Sequence, residues 1–165
     1  MGDSTFFNGR IVVINNNVDN RVDIYKKKTK LLEGYLYNSY EIKIEKIIFF
    51  EGTEGHAFWH ELDRHDDDLV IDKSRFSAFV DGASSLDKKL RDRNIKSLVV
   101  TGTLTNICCE STVRDAMMLD YQCIVIEDAN AAQTDYEHLA ALENIARVFG
   151  DVITTDDFLK TLAHG

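Results

Sequence analysis

The sequence predicts an open, mainly parallel β-sheet with helices on both faces, a three-layer α/β/α sandwich. Three observations predict it. Ser97-Leu98-Val99-Val100-Thr101 and Gln122-Cys123-Ile124-Val125-Ile126 are short, β-branched apolar runs of the kind that form buried strands. Between them Cys109, Val113, Ala116 and Met117 recur at helical spacing, and strand, helix and strand in that order make a parallel βαβ unit. The same alternation of strand and helix continues on both sides of this unit.

Taken in order, Arg10-Ile11-Val12-Val13-Ile14 reads as the first strand, Ile24 to Tyr37 as a lysine-rich helix and Ile42 to Phe50 as a second strand. Lys26-Lys27-Lys28 lacks interleaved aromatics and reads as a solvated helix face. Ser84-Ser85-Leu86-Asp87 opens a helix through Arg93, with Asn94 as its terminator. A strand over Ser97 to Thr101 follows, then a helix from Ile107 to Leu119 and a strand that ends at Glu127-Asp128. Thr134 and Glu137 have capping-box spacing ahead of Leu139, Leu142, Ile145 and Val148, so a helix starts there and stops at Gly150. Asp151-Val152-Ile153-Thr154 is a short strand, and Asp156 to Ala163 a last helix packing Phe158, Leu159 and Leu162.

Composition bounds what such a sheet can do. The 165 residues suit a single domain, 1–165, with 44% hydrophobic and 28% charged residues, the mix of an ordinary globular protein. A formal charge of -9 repels phosphate backbones and anionic lipid heads, so neither nucleic acid nor membrane is the expected partner. Met1 to Arg10 lacks a basic stretch followed by a long apolar run, so no export signal is expected. Three cysteines, two of them adjacent, do not make a disulfide framework and fit a reducing cytoplasm. Proline is absent, so turns rest on Gly, Asn, Asp and Ser.

Open parallel sheets bind ligands at the carboxyl ends of their strands, which directs attention to Gly102-Thr103-Leu104-Thr105-Asn106 and the Cys108-Cys109 pair that follows. A thiol in the first turn of a helix meets unpaired N–H groups and the positive end of the helix dipole, which favour the thiolate. The same N–H groups can bind an oxyanion. Cys109 shares the stripe of Val113 and Ala116 that faces the sheet, leaving Cys108 free for the loop side. On these facts alone both cysteines can equally be small core residues, and Cys123, in mid-strand, reads as core.

The stretch Leu98-Val99-Val100-Thr101-Gly102-Thr103-Leu104-Thr105-Asn106-Ile107-Cys108-Cys109-Glu110-Ser111-Thr112-Val113-Arg114-Asp115-Ala116 resembles the nucleophile motif of the isochorismatase-like cysteine hydrolases. Asp72-Lys73-Ser74-Arg75-Phe76-Ser77-Ala78-Phe79 resembles that family's lysine motif, and Gly52-Thr53-Glu54-Gly55 the glycine turn ahead of it. The similarity runs on through Ile126-Glu127-Asp128-Ala129, His138 and Val152-Ile153-Thr154-Thr155 to Leu159. It implies an isochorismatase-like, Rossmann-like sheet and an Asp, Lys, Cys triad. By carry-over Cys108 is the nucleophile and Lys73 its cationic partner. The resemblance also implies a cis peptide bond between Thr103 and Leu104, with the N–H groups of Leu104 and Cys108 facing the oxyanion. Phe76, Phe79 and Thr105 are expected to line the substrate pocket.

The chain departs from the family at the first triad member. Where the family has Val-Ile-Asp, this chain has Val13-Ile14-Asn15, so the triad aspartate falls on Asn15. An amide can orient a thiol but does not accept its proton near neutral pH. Asp19 is the nearest carboxylate in sequence. The histidines and aspartate by which some members bind metal are missing between the second strand and the glycine turn, so no metal or other cofactor is expected. His56 and His60, followed by Glu61, and the acid run Asp66-Asp67-Asp68 read as solvated surface. Family members often form homo-oligomers, for which Phe58 and Trp59 are candidate contacts. Two functions follow from the resemblance. One is a hydrolase that cleaves a C–N or related bond of a small nitrogen-containing or isochorismate-like metabolite through a covalent Cys108 intermediate. The alternative is a catalytically impaired member that binds a ligand or partner through the same pocket. A nucleotide-binding role lacks both Gly-x-Gly-x-x-Gly and a P-loop.

Overall fold

A computed structural model describes the backbone of residues 12–16, and residues 68–73, 75–82 and 84–163. Its elements are β1 (Val12–Asn16), β2 (Leu69–Lys73), α1 (Leu86–Arg91), β3 (Ser97–Thr103), α2 (Glu110–Met118), β4 (Gln122–Ala131), α3 (Asp135–Asn144), β5 (Asp151–Ile153) and α4 (Thr155–Ala163). β1 pairs with β2, and β4 lies between β3 and β5; every one of these pairs is parallel. Parallel strands joined by helices give the α/β class that the sequence predicts. The helix proposed for Ile24 to Tyr37, the strand proposed for Ile42 to Phe50 and the Gly52-Gly55 turn lie outside the described residues. Among the described residues no helix is long and apolar enough to cross a membrane.

Local chemistry explains most element ends. The capping box forms as expected: Glu137 N donates to Thr134 Oγ1 (3.2 Å) and Thr134 N to Glu137 Oε2 (3.1 Å). Such a cap contributes about 1 kcal/mol. Asn94 ends the turn after α1 with φ of 54°, a left-handed conformation that asparagine tolerates. The N-terminus of α1 is held by Ser84, whose Oγ accepts from Leu86 N, rather than by the formal cap Ser85. In β2, Ile71 and Lys73 are buried and Asp72 between them is exposed, the period-two pattern of a strand.

Three features differ from expectation. The helix expected from Ile107 begins as a π-helical turn, Thr105–Cys109, that runs into α2. β4 extends to Ala131, past the Glu127-Asp128 pair read as its end, because a bulge shifts the ladder from Val100↔Val125 to Gly102↔Asn130. Gly102 (φ 123°) supplies the backbone for that bulge, and the Asn130 amide spans it by donating to Val100 O (3.0 Å) and Ile126 O (2.6 Å). In α4, Leu159 is 55% exposed instead of packed.

The core sits between β2, β4 and the helices, where Ile71, Leu90, Val113, Val125 and Ile145 are almost completely buried. Gly150, expected as a helix stop, is required for a further reason. It is extended (φ 172°), and a Cβ there would lie 2.5 Å from Cys123 O on β4. Gly150→Ala should therefore destabilise the protein by about 2 kcal/mol, the usual cost of overpacking against a backbone that cannot yield. Urea denaturation checks this; a midpoint equal to the wild type would refute it.

Candidate active site

β2 ends in Lys73, only 4% exposed. A buried ammonium needs partners, and Lys73 Nζ donates to Arg75 O (2.9 Å) and Phe76 O (3.2 Å) in the loop that follows. These bonds fold the 75–76 backbone around the charged group, so its position is set by the chain next to it. The β1–β2 register puts Asn15 opposite Asp72, one position before the Asn16↔Lys73 pair, so the position aligned with the triad aspartate lies at the same strand ends as Lys73. Asp19, His56, Phe58, Trp59, His60, Glu61, Asp66 and Asp67 lie outside the described residues.

β3 delivers the cysteines. The Thr103–Leu104 peptide bond is cis, where the resemblance puts one. Leu104 O then accepts from both Ile107 N (3.1 Å) and Cys109 N (3.2 Å), the second contact closing the wider π-type turn. Cys109 is 6% exposed on the same buried stripe as Val113 and Ala116, as its spacing predicts, while Cys108 is half-buried. Burial pushes the Cys109 thiol up to about 12; the adjacent Cys108 adds to this and the charge of Lys73 opposes it. Lys73 is therefore within electrostatic reach of Cys109, which is held as a neutral thiol.

Thr112 joins the lysine loop to the cysteine turn. Its Oγ1 donates to Cys108 O (2.7 Å) and accepts from Ala78 N (3.2 Å), with the residue itself 7% exposed. The first bond is a helical i to i+4 contact; the second crosses 34 residues of sequence. Glu110 braces the start of α2, its Oε1 accepting from Arg114 (2.7 Å) and Asn144 (2.5 Å). The Arg114 guanidinium also lies over the Phe149 ring at 4.2 Å.

The three residues expected to meet substrate lie in different surroundings. Phe76 is 36% exposed in the loop beside Lys73. Phe79 instead packs in the core, its ring centroid 5.3 Å from that of Tyr121, because the chain turns inward at Ser77 and Ala78. Thr105 is completely buried, with Oγ1 2.8 Å from His138 Nδ1. Thr112 and the Thr105–His138 contact were not singled out from the sequence. The spacing of Thr112 from Cys108 is a usable signal, whereas nothing local marks His138 as a neighbour of Thr105. Asn106 Oδ1 is buried and has no hydrogen-bond partner.

The buried acids also set a response to alkali. Burial raises the Cys109 thiol from 9.0 to about 12 and the Cys123 thiol from 9.0 to about 11, and burial with a hydrogen bond to Asp87 raises the Tyr121 hydroxyl from 10.0 to about 12. Each group keeps its proton longer in the folded chain than in the unfolded one. Between about pH 9 and pH 12 the unfolded state thus binds fewer protons, and stability falls as pH rises. Denaturation midpoints at pH 8 and pH 10.5 should show a clear drop; an unchanged midpoint would contradict the buried, neutral state of these groups.

Ureidoacrylate amidohydrolase RutB of Pseudomonas savastanoi pv. phaseolicola is 38% identical over 122 residues, covering 73% of this chain and 49% of that protein. The protein of the same name from Caulobacter vibrioides (strain ATCC 19089) is 47% identical over 98 residues, 59% of this chain and 43% of the other. The chain thus spans about half the length of the curated relatives it matches. Among solved structures, an isochorismatase-like hydrolase from Alkaliphilus metalliredigens superposes with a TM-score of 0.73 at 25% identity, over 93% of this chain and 73% of that one. The family model described as Isochorismatase domain matches residues 9–157, and the chain belongs to the isochorismatase family.

Proposed function

We propose that this chain is a cysteine hydrolase that cleaves the C–N bond of a small amide or ureido compound through a covalent intermediate on Cys108. The observation that carries the reading is the buried Lys73, within electrostatic reach of Cys109 and on a loop tied through Thr112 to the turn that bears Cys108. The cysteine thiolate adds to the carbonyl carbon, forming a C–S bond and moving the π electrons onto oxygen. N–H groups of Leu104 and Cys108 are assigned to that oxyanion. As the carbonyl re-forms, the C–N bond breaks and the nitrogen leaves as an amine or ammonia, carrying the proton that the thiol gave up on becoming thiolate. Water then attacks the acyl-enzyme, taking the acyl group and returning the thiol. Lys73 stabilises the negative charge on sulfur, and Phe76 contributes an apolar wall. No metal or other cofactor enters this scheme.

The names of the relatives favour a ureido group as the substrate class. A cytoplasmic homo-oligomer with Phe58 and Trp59 as contacts belongs to the same reading. The second reading, a catalytically impaired binding protein, is favoured by Asn15, which stands where the family has its aspartate. Ammonia release from a panel of small ureido and primary amide compounds separates the two. Turnover of any of them, lost in Cys108→Ala, supports the hydrolase; binding without turnover supports the second reading.

A further inference from the structure

The contact between Thr105 and His138 takes no part in the chemistry just described, yet it reaches the turn that carries it. Thr105 is completely buried, and a buried hydroxyl needs a hydrogen-bond partner; its partner is His138 Nδ1 at 2.8 Å, 33 residues away on α3. Thr105 is also the first residue of the π-helical turn, next to Leu104, whose carbonyl closes that turn onto Ile107 and Cys109. At the other end of the turn, Cys108 O accepts from Thr112 Oγ1. The cysteine turn is thereby held at two points by two different helices.

We infer that His138 is a positioning residue, which fixes through the Thr105 hydroxyl the turn on which Cys108 is presented. His138 is well placed for this. It follows Glu137, the second member of the capping box, and its own N–H donates to Thr134 O (3.1 Å), so it belongs to the capped first turn of α3. Nδ1 accepts from the hydroxyl in one tautomer of the ring and donates to it in the other, so either tautomer makes the contact. That nitrogen is committed to Thr105 and is not offered to substrate. A displacement of about 1 Å in a reacting group costs about 10²-fold in rate, so even a partial relaxation of the turn should be measurable.

This inference rests on Cys108 as the reactive thiol, so its test uses a readout that needs no substrate. The rate of Cys108 alkylation by iodoacetamide at pH 7.5, located by mass spectrometry, is measured for wild type, His138→Ala and His138→Asn alongside thermal unfolding. Asparagine can return a polar atom near the Nδ1 position. The expected result is alkylation about tenfold slower in His138→Ala, largely restored in His138→Asn, with kcat following the same order and KM within about twofold of wild type. An unchanged or raised alkylation rate in folded His138→Ala, with only a lower unfolding temperature, would overturn it and leave His138 a packing residue. Should His138→Ala not fold, Thr105→Val against Thr105→Ser decides by the same readout, slow in the first and near wild type in the second. If the wild type turns over none of the amides while the alkylation pattern holds, the functional reading fails and the positioning role stands.

Discussion

Cys108→Ala should lose hydrolysis by about 10⁴-fold or more, while Cys109→Ala keeps activity within a few-fold of wild type. The two residues are neighbours, so chemistry cannot separate them by composition, but their surroundings do. Cys109 is 6% exposed on the stripe that packs against the sheet, and burial pushes its thiol up to about 12, leaving almost no thiolate near neutral pH. Cys108 is half-buried on the same turn. Removing the Cys109 sulfur leaves a small cavity, at a cost of about 1 kcal/mol in stability with little effect on rate. Ammonia release gives the rates, and mass spectrometry of the wild type mixed with substrate should show an adduct on the peptide containing Cys108. An adduct on Cys109, or full activity in Cys108→Ala, would defeat the assignment.

Asn15→Asp should raise turnover by about 10²- to 10⁴-fold, the usual contribution of a positioned proton-transfer group. The strand register supports the choice of residue: Asn15 lies opposite Asp72, beside the Asn16↔Lys73 pair, at the end of the sheet where Lys73 is buried. A carboxylate introduced there restores a group that can take the thiol proton and pass it to the leaving nitrogen, which an amide cannot do. The rise should appear in kcat more than in KM, because proton transfer acts in the transition state. No gain would mean that the proton goes elsewhere. In that case Asp19→Asn in the otherwise native chain is the next variant, and loss of activity there would identify the acceptor.

Much of the second half of the chain is legible in the sequence. The capping box of Thr134 and Glu137, the helix stop at Asn94 and the inward face of Cys109 each depend on residues within one or two turns of each other, and the parallel βαβ unit on the alternation of short strand and helix patterns. Such features follow from backbone geometry and side-chain spacing, which a sequence carries explicitly. The resemblance in turn pointed to the cis bond at Thr103–Leu104, because a long motif preserves local conformation.

Other properties were decided only when distant segments met. Phe79 became a core residue because Tyr121 fills the space beside it, and Gly150 is required because Cys123 O lies where a Cβ would be. β4 runs past its polar residues because Gly102 and Asn130 build a bulge across two strands. The ties of Thr112 to Ala78 and of Thr105 to His138 span 34 and 33 residues. The sequence by itself determined the α/β class, the cap of α3 and the inward face of Cys109, since those follow from residue spacing and local chemistry. The tertiary structure alone decided what holds the cysteine turn still, since a hydrogen bond between distant residues exists only once packing has closed the distance between donor and acceptor.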